Sequence, residues 1–344
     1  MVQRASLLVA AAVVAVFPLA AIADSEADFF KDKNVTIIVP AGPGGSYHLY
    51  AQVVQRHLAG HIPGKPAMIV QNKPGAGGAA SAAYMMSVAP KNGTVIAELV
   101  PGMITDPVVK SSVSYDARKF NFLGSIAARD FSIAVWHTVP VKTLDDLRKT
   151  EITIGTTGRA SAGYVVPHFI NSVLGTKMKV ITGYASGGDI DIAMERKEVQ
   201  GRGNFYSGFA SVRPDWIRDK TIHFIMTLGP VNPALKGVPR VRDYLKAGSL
   251  EERTFNLLEM NFNVGQSFYA PPGLPKKRLA TLRKAFAAML ADKAMQAELA
   301  KHNLDFGPQT PDQINSEIER GFKGATPDVV KRFRVMMGGE KAKS

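Results

Sequence analysis

The chain has no cysteine in 344 residues, so disulfides, thiolate-held metals and a lipid-anchored cysteine are all excluded. It is also short of long apolar runs: past residue 23 no segment comes near the length that spans a bilayer. The formal net charge is +13, yet there is no long basic block and no alternation of basic with aromatic residues. "KKRLATLRK" and "KRFR" read as solvated helix faces, and no nucleic-acid partner is expected. No Walker lysine follows either of the first two glycine loops, which removes a P-loop. His57 and His61 stand four apart, a spacing that can grip zinc, but Leu58 follows His57 where a zinc peptidase has glutamate, and Gly60 weakens the helix. A solvated pair is the simpler reading, and no metal is expected. Ser161 and Ser186 lie in glycine loops that lack the pentapeptide of a nucleophile elbow. Trp136, Trp216 and the methionines near Tyr84 are assigned to the core.

What is present starts with a leader-like segment. Arg4 is the only charge before an apolar stretch over residues 7–23, and Ala21 and Ala23 are small enough for signal peptidase. Cleavage is expected after Ala23, giving an exported protein whose remaining length suits two domains.

Short β-branched runs then alternate with helical spacing. "NVTIIVP" and "AMIVQN" each run into a glycine loop and a helix, and "GTVIAEL" supplies a third strand. "FSIAVW", "EITIG", "KVIT" and "IHFIMTLG" repeat the pattern, with a helix "TLDDLRK" opened by Thr143. This alternation predicts two α/β lobes built on parallel sheets, with ligand loops gathered at the carboxyl ends of the strands. "SFYAPPGLP" is read as the extended return to the first lobe. Residues 276–302 are expected to be helical, and Thr310 and Thr326 are each expected to cap a helix with proline in its first turn.

Four glycine loops result, at 41–48, 75–80, 155–163 and 183–189. Glycine lets backbone N–H groups face a ligand, and the helix that follows adds partial positive charge, so such loops can hold a carboxylate without a catalytic side chain. One enzyme reading competes. Gly75-x-Gly77-x-x-Ala80 fits a relaxed dinucleotide fingerprint, with Glu98 placed as the ribose-binding acid of an exported oxidoreductase. Lys73-Pro74 between strand and glycines weighs against it. Tight turns with no ligand are the remaining alternative.

"TIIVPAGPGGS", "VQNKPGAGG", "VPVKTLDDL", the loop at 155–163 and "FYAPPGLPKKRLATLRKAF" together resemble the extracytoplasmic solute receptors of tripartite tricarboxylate transporters, the Bug or TctC family. The resemblance covers nearly the whole chain after residue 23. It implies a two-lobed periplasmic binding protein of type II, a Venus flytrap of two doubly wound sheets joined by two crossover strands. Residues 24–128 and 264–344 would form lobe 1 and 129–263 lobe 2, hinged near 127–131 and 262–266. It further implies a periplasmic, monomeric receptor without cofactor or turnover, which passes a small di-, tri- or aromatic carboxylate to the permease subunits of such a transporter.

By position, the resemblance assigns ligand contacts to Ala41, Gly44, Gly45, Ser46, Tyr47 and His48 in the first loop and to Gly75, Ala76, Gly77, Gly78 and Ala79 in the second. In the second lobe it assigns Thr156, Thr157, Gly158, Arg159 and Ser161, with Asp189, Phe205 and Tyr206 completing the set. Several positions depart from the family pattern: His48 for a common aspartate, Ala79 for asparagine, Tyr164 for histidine, and Arg159 where a small or amide residue is usual. Tyr47 could pack on an aromatic or extended ligand. Arg159 either pairs with a second charge on it or lies on the rim in water. Gly78→Val is expected to abolish binding while the fold survives.

Overall fold

The computed structural model describes residues 25–109 and 113–337; the expected leader and the C-terminal "GGEKAKS" lie outside the described residues. No helix among the described residues is long and apolar enough to cross a membrane.

Among the described residues, ten strands form two sheets. They are β1 (Asn34–Val39), β2 (Ala67–Asn72), β3 (Val95–Glu98), β4 (Asn121–Ser125), β5 (Phe131–Trp136), β6 (Ile152–Thr156), β7 (Met178–Thr182), β8 (Gly201–Asn204), β9 (Ile222–Leu228) and β10 (Ser267–Ala270). The sheet orders are β2-β1-β3-β10-β4 and β7-β6-β8-β5-β9. The two are built alike. In each, four strands run the same way and one runs antiparallel between two of them, β10 in the first and β5 in the second. The expectation of wholly parallel sheets is therefore corrected. β10 and β5 each enter a sheet from the crossing between lobes rather than from a helix of their own lobe, so no βαβ crossover forces them parallel.

Register positions the loops. β1 pairs with β2 from Asn34 opposite Ala67 to Val39 opposite Asn72, so both strands end level and their glycine loops leave side by side. β6 and β7 do the same, from Ile152 opposite Met178 to Thr156 opposite Thr182. The helix Ser46–His61 buries Tyr50, Val53, Val54 and Leu58, the spacing of one helical face, against the first sheet.

Thr143 opens its helix through a reciprocal capping box, its Oγ1 accepting from the Asp146 N–H at 3.2 Å while Asp146 accepts from the Thr143 N–H at 3.0 Å. Thr310 forms the same box with Gln313. Thr326 does not cap the backbone; its hydroxyl goes to Asp328. The stretch expected to be helical over 276–302 is two helices, Lys276–Ala291 and Lys293–Lys301, divided at Asp292, whose carboxylate caps the second.

The lobes join through two adjacent chain segments. The outward crossing, residues 126–130, follows β4. The return crossing follows the helix Leu250–Val264 through Gly265 and Gln266 into β10. The Ile126 N–H donates to the Gln266 carbonyl at 2.9 Å, Gln266 N–H to Ala127 at 2.8 Å, and Arg129 N–H to Phe262 at 3.0 Å.

Candidate ligand-binding cleft

The first loop leaves β1 through Pro40 and turns into the helix that begins at Ser46. Its N-cap is Gly45, which has no side chain to satisfy the first N–H groups. Those donors face the cleft with the positive end of a long helix behind them. The second loop is more constrained. Gly75, Ala76, Gly77 and Gly78 all lie at positive φ, an arrangement that strains Ala76 but costs glycine little.

The second loop meets the second lobe directly. A Cβ on Gly77 would lie 2.6 Å from the Ser161 nitrogen, and one on Gly158 would lie 2.4 Å from the Gly77 nitrogen. The first loop meets the fourth in the same way, with the Gly42 N–H donating to the Ala185 carbonyl at 2.9 Å. The lobes are thus closed on each other, backbone against backbone, and glycine is what permits the approach. Gly78 faces the other way. Its absent Cβ would meet Met103 Cε at 2.8 Å and Val100 Cγ2 at 3.0 Å, inside its own lobe.

Between the loops is a cavity of about 80 Å³ lined by both lobes. Of the residues singled out from sequence, Ala41, Gly45, Ser46, Tyr47, Gly77, Thr156, Thr157, Ser161 and Phe205 line it. Gly44, Gly75, Ala76, Gly78, Ala79 and Gly158 sit in the same loops behind that lining. Ser161 hydroxyl donates to the Gly158 carbonyl at 2.7 Å and lies 2.6 Å from Thr156 Oγ1, which fixes the third loop from within. His48 is half-buried on the first turn of its helix, with Nδ1 lacking a hydrogen-bond partner among the described residues. Arg159 is exposed and outside the lining; its guanidinium lies 6.0 Å from the centre of the Tyr164 ring. Asp189 is exposed and accepts from the Ser186 hydroxyl at 2.8 Å, as part of a helix cap. Tyr206 packs near Phe224 and gives its N–H to Asp130.

Three buried ionisable groups stand at or behind the cavity, and two of them, Arg202 and Arg129, escaped the sequence reading. Arg202 on β8 lines the cavity and is held by Asp191, with Nη1 2.5 Å from Oδ1, and by the Gly187 carbonyl at 2.7 Å. Burial pushes the Asp191 carboxyl up, against the opposing pull of Arg202. β8 reads "GRGN", a strand with no apolar residue. An arginine between two glycines was the available signal.

Arg129 is the second group. Only 1% exposed, it reaches from the outward crossing to Gln266 Oε1 at 2.6 Å, Ser207 Oγ at 3.1 Å and Ser46 Oγ at 3.3 Å, and stacks 3.6 Å from the centre of the Phe205 ring. It therefore links the two crossings and touches the backs of two cavity residues. Glu98 is the third. It is wholly buried, accepts from Gln266 Nε2 at 3.0 Å, and is held well above the usual carboxylate range by burial. An acid so placed cannot reach a ribose, which removes the residue on which the dinucleotide reading relied. Beside Arg129, burial and the neighbouring Asp305 raise the Asp130 carboxyl to about 6.

Comparison with known proteins agrees with this geometry. No family model matches the chain. A UPF0065 protein from the gbd 5' region of Cupriavidus necator is 32% identical over 138 residues, 40% of this chain and 41% of that protein. A second UPF0065 protein, from Bordetella bronchiseptica, is 24% identical over 159 residues, 47% of its length, so the match spans under half of either curated relative. Among solved structures, the periplasmic binding protein BugD superposes with TM-score 0.71 at 18% identity, over 91% of this chain and 100% of that one. MatC from Rhodopseudomonas palustris with bound malate gives 0.69 at 17% identity, over 89% and 99%. The chain thus shares the two-lobed α/β fold of these solved binding proteins. The curated relatives point the same way as far as they reach: the chain is similar to these UPF0065 proteins over under half of its length.

Proposed function

We propose that the protein is a solute-binding receptor that closes its two lobes on a small carboxylate. The observation that carries this is the convergence of the glycine loops of both sheets on one cavity, with an uncapped helix N-terminus at Gly45–Ser46 as the anion-binding pole. The binding of malate by the structural neighbour MatC supports the chemistry. The ligand-contact assignment is carried by the nine sequence-designated residues that border the cavity. The reading includes export with cleavage after Ala23, function as a monomer in the periplasm, lobe boundaries at 128/129 and 263/264, and delivery of the ligand to the permease of a tripartite tricarboxylate transporter without turnover.

A thermal-shift screen over carboxylic acids and nicotinamide cofactors tests this. A ligand at about a hundred times its Kd adds about 2.7 kcal/mol, which is a readable rise in Tm. Stabilisation by a carboxylate is expected. Stabilisation by NAD and by no carboxylate would establish the oxidoreductase reading in its place.

A further inference from the structure

Of the described residues bordering the cavity, only Asp191 and Arg202 carry charge, and they are bonded to each other. Their side chains are 6% and 7% exposed, so the pair is a desolvated one. The bonds of Arg202 all use Nη1 and that of Asp191 uses Oδ1, which leaves Nη2 and Oδ2 without hydrogen bonds among the described residues. Gly187 makes the room: a Cβ there would lie 2.8 Å from Nη2. The second lobe thus offers one donor and one acceptor on a single ion pair, with no net charge. The uncharged Thr156, Thr157 and Asn204 complete that wall.

We infer that this pole reads an uncharged group bearing both an acceptor and a donor, a carboxamide, rather than a second carboxylate. The inference rests on the receptor reading above and specifies its ligand: an acid with one carboxylate for the Gly45–Ser46 pole and an amide for the Asp191–Arg202 pole. The reason is electrostatic. A second carboxylate would share Arg202 with Asp191, placing two anions beside the one cation that borders the cavity, and a desolvated charge without a partner of its own is unfavourable. A carboxamide accepts from Nη2 through its carbonyl and donates to Oδ2 through its NH₂, adding no charge and leaving the ion pair intact.

The test is isothermal titration of the purified protein with the dicarboxylates from malonate to adipate and with the monoamide of each. At the chain length that binds best, the monoamide is expected to bind at least about tenfold more tightly than its dicarboxylate. Asp191→Asn removes the second anion and is expected to reverse that preference, with circular dichroism confirming that the variant folds. A dicarboxylate that binds wild type as tightly as its monoamide, or more tightly, overturns the inference and leaves the receptor reading standing. Failure of every acid and every monoamide to bind would bring down the receptor reading itself.

Discussion

At the scale of single residues, adjacent glycines have separate tasks. Gly77 is pressed against the Ser161 nitrogen across the cleft, whereas Gly78 is pressed against Met103 and Val100 within its own lobe. Gly77→Ala is therefore expected to hold the lobes apart, weakening ligand binding at least about tenfold in a titration while folding stability falls by no more than the cost of one alanine at positive φ, about 1–2 kcal/mol. Gly78→Val is expected to lower Tm clearly, because both the backbone and the packing are strained. This revises the expectation that such a change spares the fold, which treated the loop as surface when Gly78 is buried. Arg159→Ala is expected to change affinity by less than about twofold, since an exposed arginine outside the cavity lining gains little from its surroundings.

At the scale of elements, the two crossings and the loops they serve are held by one buried side chain. Arg129 links the outward crossing to Gln266 on the return crossing, and Gln266 in turn holds Glu98 at the end of β3. Replacing Arg129 by methionine leaves Asp305, whose carboxylate lies 3.8 Å from Arg129 Nε, without that counter-charge and Gln266 and Ser207 without their donor; urea unfolding is expected to show a loss of about 3–5 kcal/mol. The neighbouring Asp130 makes stability depend on pH. Its carboxyl is raised from 3.8 to about 6 in the folded protein, so between those values the folded state holds a proton that the unfolded chain has released. Stability contributed by this group is full below about pH 4 and is lost as pH rises through about 6. Asp130→Asn is expected to flatten that part of the profile, read as the difference in Tm between the two proteins at pH 4 and pH 7. An unchanged difference would show that Asp130 keeps its ordinary affinity for protons.

At the scale of the whole molecule, the sequence disclosed what repeats locally. β1, β2, β6, β7 and β9 are β-branched runs ending near glycine, and their lengths and loops could be read directly. The same local signal located both glycine loops of each lobe, and with them half of the cavity wall. The reading fell short where a segment's conformation is set by its neighbours. β8 has no apolar residue of its own and is a strand because β5 and β6 flank it, so Arg202 went unassigned. The helix Leu250–Val264, likewise unassigned, packs against Gly102–Val109, Pro311–Lys323 and Pro327–Met336, which are distant in sequence. Arg129 shows the same limit: a lone arginine in "AARDF" carries no sign of the four elements it joins. Charge placement in the cavity is a property of the closed molecule, and Arg159, the sequence candidate, lies outside it.

The central claim is that ligand sits between the lobes, in the cavity the four loops enclose. Ala41 borders that cavity and is only half-buried, so Ala41→Trp fills the space with little disturbance of the core. Titration of this variant with the best carboxylate or monoamide from the wild-type panel is the most direct measurement. Loss of detectable heat with a circular-dichroism melt within a few degrees of wild type is the predicted result. Binding at wild-type affinity by a folded Ala41→Trp protein would contradict the account, because the ligand would then be held somewhere other than the cleft.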